Sequence, residues 1–376
     1  MLLHTRGISH LIEAPVVGPV TRAATSSERG QILVAEDGVP YDIDLSSFKA
    51  ILTSVSDPVD FPSVHSVKSL DHLSEGDLLA IHSDGTINTL YRPASRHNFL
   101  LFTERCNSNC LMCSQPPRNR NDIEYLYWIY RSLIPQIPKD CFELGITGGE
   151  PTLMGNLFFS LLEELKSELP DTELHCLTNG RSFAWHNVAD KLGRMRYERL
   201  MLGIPLYSDY YQQHDYIVQA KNAFHQTMQG LYNLAAYDQR IEIRIVLHQQ
   251  TIPRLTRLAK FIYRNLPFVE HVAFMGLEHQ GYTPHNIDKL WIDPVEYMAE
   301  LSEAVNYLSD YGMRVSIYNS QLCLMPEDLW QFNKKSISDW KNIYLDTCSS
   351  CTRIDNCGGL FASAVTRHSK HLKAFE

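Results

Sequence analysis

The chain lacks any uninterrupted apolar run near the roughly 18 residues of a membrane span, which argues against a helix-spanning membrane protein. It also lacks long runs of one charge: 34 basic and 43 acidic residues are interspersed, for a net charge of −9. Neither a nucleic-acid backbone nor an anionic membrane is therefore expected as the main partner. The opening stretch, Met1 to Val20, is broken by His4, Arg6, His10, Glu13, Pro15 and Pro19, so it has no signal-peptide core and a cytoplasmic location is expected. Internal repeats and low-complexity tracts are absent. With 44% hydrophobic and 20% charged residues, 376 residues suffice for a large core and smaller additions. The nine cysteines are odd in number; seven fall in two clusters, leaving Cys141 and Cys176 isolated. In a reducing compartment that pattern points to metal ligation rather than disulfides.

From about Asn98 to Leu277 short apolar runs alternate with amphipathic segments, the pattern of a parallel sheet with crossover helices. Strands are expected at Asn98 to Thr103, Phe142 to Thr147, Glu173 to Thr178, Leu200 to Leu206, Ile241 to Leu247 and His271 to Leu277. The helices between them are expected at Asp122 to Leu133, Asn156 to Leu169, His186 to Leu192, Ala223 to Ala236 and Ile252 to Leu266. Six such strands imply a partial (β/α)6 barrel of the TIM type in an α/β protein. Before Asn98, the runs Gly76 to His82 and Thr86 to Tyr91 flank Ser83-Asp84-Gly85, a hairpin turn signal. We therefore expect a β-rich N-terminal domain over 1–95, the barrel over 96–285 and a cysteine-bearing C-terminal lobe over 286–376.

Cys106-Asn-Ser-Asn-Cys110-Leu-Met-Cys113 puts three thiols in one loop just after the first expected strand. Three thiolates on a four-iron cluster leave one iron open to a non-protein ligand; a zinc site completed by a distant His or Cys is the alternative. The spacing of three and then two residues resembles the radical S-adenosylmethionine (SAM) motif, although the usual aromatic residue before the third cysteine is here Met112. The resemblance implies a 4Fe-4S cluster whose open iron takes SAM, cleaved reductively to a 5′-deoxyadenosyl radical. Gly148-Gly149-Glu150-Pro151, after the second strand, resembles the family's motif for the methionine amino group, and alone reads equally as a strand-to-helix turn. Asn179 in Thr178-Asn179-Gly180 and Ser208 after Tyr207 fall where related enzymes contact SAM. In the fifth strand Ile241, Ile243, Ile245 and Leu247 share one face, and Glu242 and Arg244 the other. Arg244 is either a SAM carboxylate contact or half of a structural ion pair. These loops all follow strand C-termini, where parallel α/β barrels carry their chemistry.

In the tail, Cys323, Cys348, Cys351 and Cys357 suffice to saturate a second site. Cys348-Ser-Ser-Cys351 and Cys357-Gly358-Gly359 resemble part of the SPASM extension, except that Phe361 stands where that pattern has a further cysteine. An auxiliary 4Fe-4S cluster is implied, with zinc the alternative; His368 and His371 are weaker ligand candidates. The runs Leu100 to Cys106, Cys113-Ser-Gln-Pro-Pro117, Ile204 to Ser208, Met275-Gly-Leu-Glu278 and Cys357-Gly-Gly together resemble the His-Xaa-Ser system radical SAM maturases of the HxsC family. That resemblance implies modification of a ribosomally made His-Xaa-Ser repeat peptide, beside a sister radical SAM maturase and with an external electron donor. Glu278, at the end of the sixth strand, is a candidate substrate contact, and the N-terminal domain a candidate for leader-peptide recognition by strand addition to an exposed edge.

Overall fold

A computed structural model describes residues 3–23, 29–39, 43–335 and 341–376. Two units are distinguished, the first comprising Met1–Leu100, Asp122–Gly145 and Asn156–Glu173, the second Leu101–Asn121, Ile146–Gly155 and Leu174–Glu376.

The first unit is built on eight short strands: β1 (His4–Arg6), β2 (Ile8–His10), β3 (Val16–Thr21), β4 (Gln31–Val34), β5 (Phe48–Leu52), β6 (Ser63–His65), β7 (Leu78–Ile81) and β8 (Thr86–Tyr91). Their order is β1-β8-β7-β3-β4-β5-β6-β2. The two outermost strands are halves of one segment separated only by Gly7, so the sheet closes on itself around Val20, Ile32, Leu52, Val64, Leu79 and Ile81. Closure needs a glycine at the bend, because a Cβ there would lie 2.5 Å from the His65 carbonyl oxygen and 2.7 Å from the Val64 side chain. The expected hairpin is present: β7 and β8 pair antiparallel, and Gly85 takes the left-handed conformation at φ +82°. The exposed edge needed for strand addition is a different matter. Closure leaves β1 and β2 as three-residue strands, each paired along one side, so among the described residues they offer only short edges. Helices α1 (Ile123–Leu133) and α2 (Asn156–Glu168) complete this unit, with Tyr127 of α1 hydrogen-bonded to Ser160 of α2 at 3.1 Å.

The second sheet runs in chain order through β9 (Asn98–Leu101), β10 (Glu143–Thr147), β11 (Glu173–Leu177), β12 (Leu200–Pro205), β13 (Arg240–Val246), β14 (His271–Met275), β15 (Val315–Tyr318) and β16 (Asn333–Lys334). From β11 to β16 every neighbour pair is parallel. The intervening helices are α3 (His186–Met195), α4 (Tyr211–Val218), α5 (Ala223–Ala235), α6 (Leu255–Asn265), α7 (Ile287–Leu290) and α8 (Met298–Asp310). Helix α6 shows why they pack. Leu255, Leu258, Ala259 and Ile262 recur at helical spacing and are buried, while Arg257, Lys260 and Arg264 take the other faces.

All six expected strands occur, each within two residues at either end, but the sheet does not stop at six. Val315–Tyr318, expected in a separate lobe, adds in parallel to β14, with Phe274 opposite Ile317. Helix α8 is the crossover that makes this possible: it packs beside α6, where Glu303 pairs with Lys260 at 3.2 Å. Among the described residues no helix is long and apolar enough to cross a membrane.

Gly7→Val should lower the stability of the first unit by about 1–3 kcal/mol, because the added atoms meet backbone that cannot rotate away. Urea denaturation followed by far-ultraviolet circular dichroism checks this.

Candidate functional site

The three-cysteine loop follows β9 with no regular structure of its own, so its backbone must be held from outside. Four segments do this. The Asn109 and Leu111 amides donate to the carbonyls of Val218 and Ile217 at the end of α4, at 3.0 and 2.9 Å. Tyr282 N–H donates to the Cys113 carbonyl at 2.9 Å, and Asn286 Nδ2 to that of Leu111, also at 2.9 Å. Arg181 reaches the Asn107 carbonyl and, at 3.0 Å, Ser108 Oγ, while its Nε donates to Gln226 at 2.8 Å. Finally, Gly149 and Glu150 N–H groups donate to Thr103 and Arg105, each at 2.8 Å.

The last contact explains the paired glycines. A Cβ on Gly148 would lie 2.6 Å from the Thr103 carbonyl oxygen, and one on Gly149 would collide with the Arg105 carbonyl. Only residues without side chains let the Gly148–Glu150 turn lie flat against the segment that leads to Cys106.

Glu150 is fully buried, and its carboxylate accepts four hydrogen bonds: from Thr152 N–H at 3.1 Å and Oγ1 at 2.6 Å, from Thr178 Oγ1 at 2.7 Å, and from Asn179 N–H at 2.6 Å. Burial pushes its pKa above the usual carboxylate value against the opposing effect of these donors. Pro151 is buried beside it at the head of a short 3-10 turn. Asn179 in turn donates from Nδ2 to Asn107 of the cysteine loop at 2.6 Å. Glu150, Asn179 and Arg181 therefore form one continuous brace from β10 and β11 to the cysteines. Sequence reading did not find Arg181 or Asn107, because an arginine in a loop and an asparagine between cysteines carry no motif.

The thiols sit where a proton is hard to lose. Burial pushes Cys106 up to about 11, with the Glu150 charge adding to it, and raises Cys110 and Cys113 as well. Arg181 acts the other way on Cys106 and Cys110, supplying the positive charge that a thiolate-bound cluster favours. Among the described residues, no three His, Cys, Asp or Glu side chains form a group that could hold a single metal ion.

Behind this loop, Tyr207 packs with Leu111 and Met112, stacks on His214 at 5.9 Å between ring centroids, and lies 6.2 Å from His248. Burial holds His214 down at about 4 and His248 at about 3, so both are neutral in the native protein at pH 7. Ser208 is buried next to them and accepts from Tyr210 N–H at 3.1 Å.

Arg244 is engaged within the sheet. Its Nη1 donates to Glu242 Oε1 at 2.7 Å, and Glu242 also meets His271 Nδ1 at 2.6 Å and His175 Nε2 at 3.3 Å. Of the two readings of Arg244, the structural ion pair is the contact the structure contains. A partly buried guanidinium is favoured by such a counter-charge, and against the effect of its own burial these neighbours hold the Glu242 carboxyl well below its usual range. Glu278 is likewise paired, with Lys341 at 3.1 Å.

In the tail Cys323, Cys348, Cys351 and Cys357 line one cavity. Residues far apart in sequence thus meet around a single space, and His368 and His371 are not among its walls. Strands β17 (Asn342–Ile343) and β18 (Leu360–Phe361) pair beside it, and Tyr344 donates to the Cys357 carbonyl at 2.9 Å. Cys141 and Cys176 are buried apart from both groups, at 8% and 0% exposure.

Replacing Glu150 by Gln puts an amide donor among donors and should cost about 2–4 kcal/mol of stability, measured by chemical denaturation. Raised in the fold, Glu150 weakens wild-type stability as pH climbs through its folded pKa, and the variant should lose that component. The two histidines act oppositely: their folded values lie below the unfolded 6.5, so stability is full above pH 6.5 and falls as pH drops toward 4. Between pH 7.5 and 5 we expect a loss of about 2 kcal/mol per histidine, and His214→Asn should remove roughly half of the combined loss in parallel denaturation curves.

Residues 100–262 match the family model described as the radical SAM superfamily. The uncharacterized protein MJ0907 of Methanocaldococcus jannaschii is 22% identical over 261 residues, 66% of this chain and 84% of that protein. Among solved structures, SuiB of Streptococcus suis bound to S-adenosylmethionine is 17% identical, with a TM-score of 0.47 over 61% of this chain and 52% of SuiB. Coproporphyrinogen III oxidase of Escherichia coli, a radical SAM enzyme, is 14% identical, with a TM-score of 0.43 over 57% of this chain and 53% of that one. The chain spans about half the length of both. Residues 100–262 of this protein form a radical SAM superfamily domain.

Proposed function

We propose that this chain is a radical SAM enzyme that modifies a ribosomally made peptide, by resemblance a His-Xaa-Ser repeat protein. The observation that carries the enzymatic part is the open loop of Cys106, Cys110 and Cys113, braced by the Gly148–Pro151 turn through backbone hydrogen bonds. A 4Fe-4S group held by these thiols supplies, when bound, the electron that cleaves SAM to a 5′-deoxyadenosyl radical. The chain's own residues do the positioning. Gly148 and Gly149 keep side chains away from the loop, Glu150 fixes the turn, Asn179 and Arg181 fix the loop at Asn107, and Tyr207 and Met112 give it an apolar backing. Gly148 to Pro151, Asn179 and Ser208 are the residues we assign to the SAM side of the site. Arg244 joins them only if SAM displaces its bond to Glu242.

We assign an auxiliary 4Fe-4S cluster to Cys323, Cys348, Cys351 and Cys357, because the partial SPASM pattern implies one and these four thiols line one cavity and suffice to saturate a cluster; zinc is the competing occupant. Domain boundaries at 95/96 and 285/286, a cytoplasmic location, an external electron donor and a sister maturase belong to the same reading. The peptide substrate rests on the motif resemblance. The competing readings are a radical SAM enzyme acting on a small metabolite or on RNA, and a zinc-binding scaffold; the net charge of −9 weighs against RNA.

The test is anaerobic purification with iron and sulfide quantification, then dithionite and SAM with detection of 5′-deoxyadenosine. About eight irons per chain are expected, falling to about four in a Cys106/Cys110/Cys113→Ala variant that makes no 5′-deoxyadenosine. About four irons with one zinc would make the tail structural. Zinc alone, without SAM cleavage, would overturn the reading.

A further inference from the structure

A cleft of about 440 Å³ lies in the tail, with Trp330, Gln331, Lys334, Lys335, Arg353 and Asp355 among its walls. That size suits a small-molecule ligand. It adjoins the four-cysteine cavity, since Leu322 and Arg353 line both. Three cations face one carboxylate here, in a chain whose net charge is −9. A concave wall of one sign draws in anions that the rest of such a surface repels. Lys335 lies over the Tyr344 ring at 6.0 Å, but Lys334 and Arg353 have no ion pair among the described residues. Lysines on a sheet edge also deter strand pairing, and β16 is the edge of the second sheet. That role would need neither Arg353, on a separate segment, nor a cleft between them.

The remaining walls narrow the class of anion. Trp330 is already engaged: its indole N–H donates to the carbonyls of Leu322 and Met325, each at 3.2 Å, Arg353 lies 5.5 Å from its ring centroid, and Phe375 meets it in an edge-to-face contact at 5.3 Å. A planar base would stack there only by displacing Arg353, one of the cations that attract the anion. Gln331 donates from Nε2 to the Asp328 carbonyl at 3.2 Å, which leaves Oε1 as an acceptor, and Asp355 adds a carboxylate. Asn333, by contrast, is engaged inside the wall, with Nδ2 donating to the Asn356 carbonyl at 2.9 Å and Oδ1 against Gly358. Acceptors set beside cations suit a ligand that carries hydroxyl donors as well as an anionic group. A phosphate ester brings about −1.5 to −2 charges and three acceptor oxygens to Lys and Arg, whereas a lone phosphate ion would leave most of the cleft unfilled.

We propose that this cleft binds the phosphate ester of a small polyhydroxylated molecule, a sugar phosphate in class, with the phosphate on Lys334 and Arg353 and the hydroxyls on Gln331 and Asp355. None of these residues is assigned to cysteine ligation or to SAM, so the site stands whether or not the peptide reading does.

The experiment is anaerobic titration calorimetry of iron–sulfur-loaded full-length protein with glucose 6-phosphate, ribose 5-phosphate and glycerol 3-phosphate, beside glucose, inorganic phosphate and AMP. At least one of the three esters should bind saturably, about ten-fold tighter than glucose or inorganic phosphate, equivalent to about 1.4 kcal/mol, and AMP should bind no tighter than ribose 5-phosphate. Lys334→Glu should weaken the ester about ten-fold at unchanged iron content, and Lys334→Ala, which adds no charge, should weaken it in the same direction. No saturable binding of any ester at up to about 10 mM, or ester binding unchanged in both Lys334 variants, would overturn the inference. So would glucose or inorganic phosphate binding as tightly as the esters, since the phosphate or the hydroxyls would then be dispensable. AMP binding tighter than ribose 5-phosphate would overturn it as well, because the base would then contribute.

Discussion

The buried carboxylate of Glu150 is the constraint on which the site depends. A charge with no solvent contact must be met by donors, and here Thr152, Thr178 and Asn179 meet it with four hydrogen bonds. Those donors come from the turn after β10 and from the end of β11, so satisfying one carboxylate locks two loops into one geometry. The same turn lies against Thr103 and Arg105, and Asn179 reaches Asn107. The conformation of the cysteine loop is thereby inherited from a polar contact below it.

A second buried charge plays a related part within the sheet. Glu242 gathers His175, Arg244 and His271 from β11, β13 and β14, adding side-chain ties to the backbone ladders between these strands. Such clusters are costly to form and costlier to break. The isoleucines on the opposite face of β13 are fully buried, so one strand carries an apolar face and an ionic one.

Much of the fold was legible because periodicity is local. The alternation of Ile241, Ile243 and Ile245 and the helical spacing of Leu255, Leu258, Ala259 and Ile262 identify β13 and α6 without any partner. Where the signal was short it located the element but not its neighbour. β15 has four residues, and its place beside β14 follows from the α8 crossover rather than from its own pattern; the two-residue β16 then adds to β15. Closure of the N-terminal sheet was equally hidden, since nothing in His4 to His10 announces that its two halves pair with β8 and β6.

By itself the sequence determined where the candidate groups cluster, through spacing: three thiols in one loop, four in the tail, and a glycine pair before a glutamate. These are properties of chain connectivity, and they need no knowledge of what packs where. Tertiary structure decided the partners. It gave Arg244 to Glu242, Glu278 to Lys341 and Arg181 to the cysteine loop, brought Cys323 to Cys348, Cys351 and Cys357, and set Arg353 in the walls of both their cavity and a basic cleft. Hydrogen bonds and ion pairs extend only a few ångströms, and residues tens to hundreds of positions apart come within that range only once the strands have stacked.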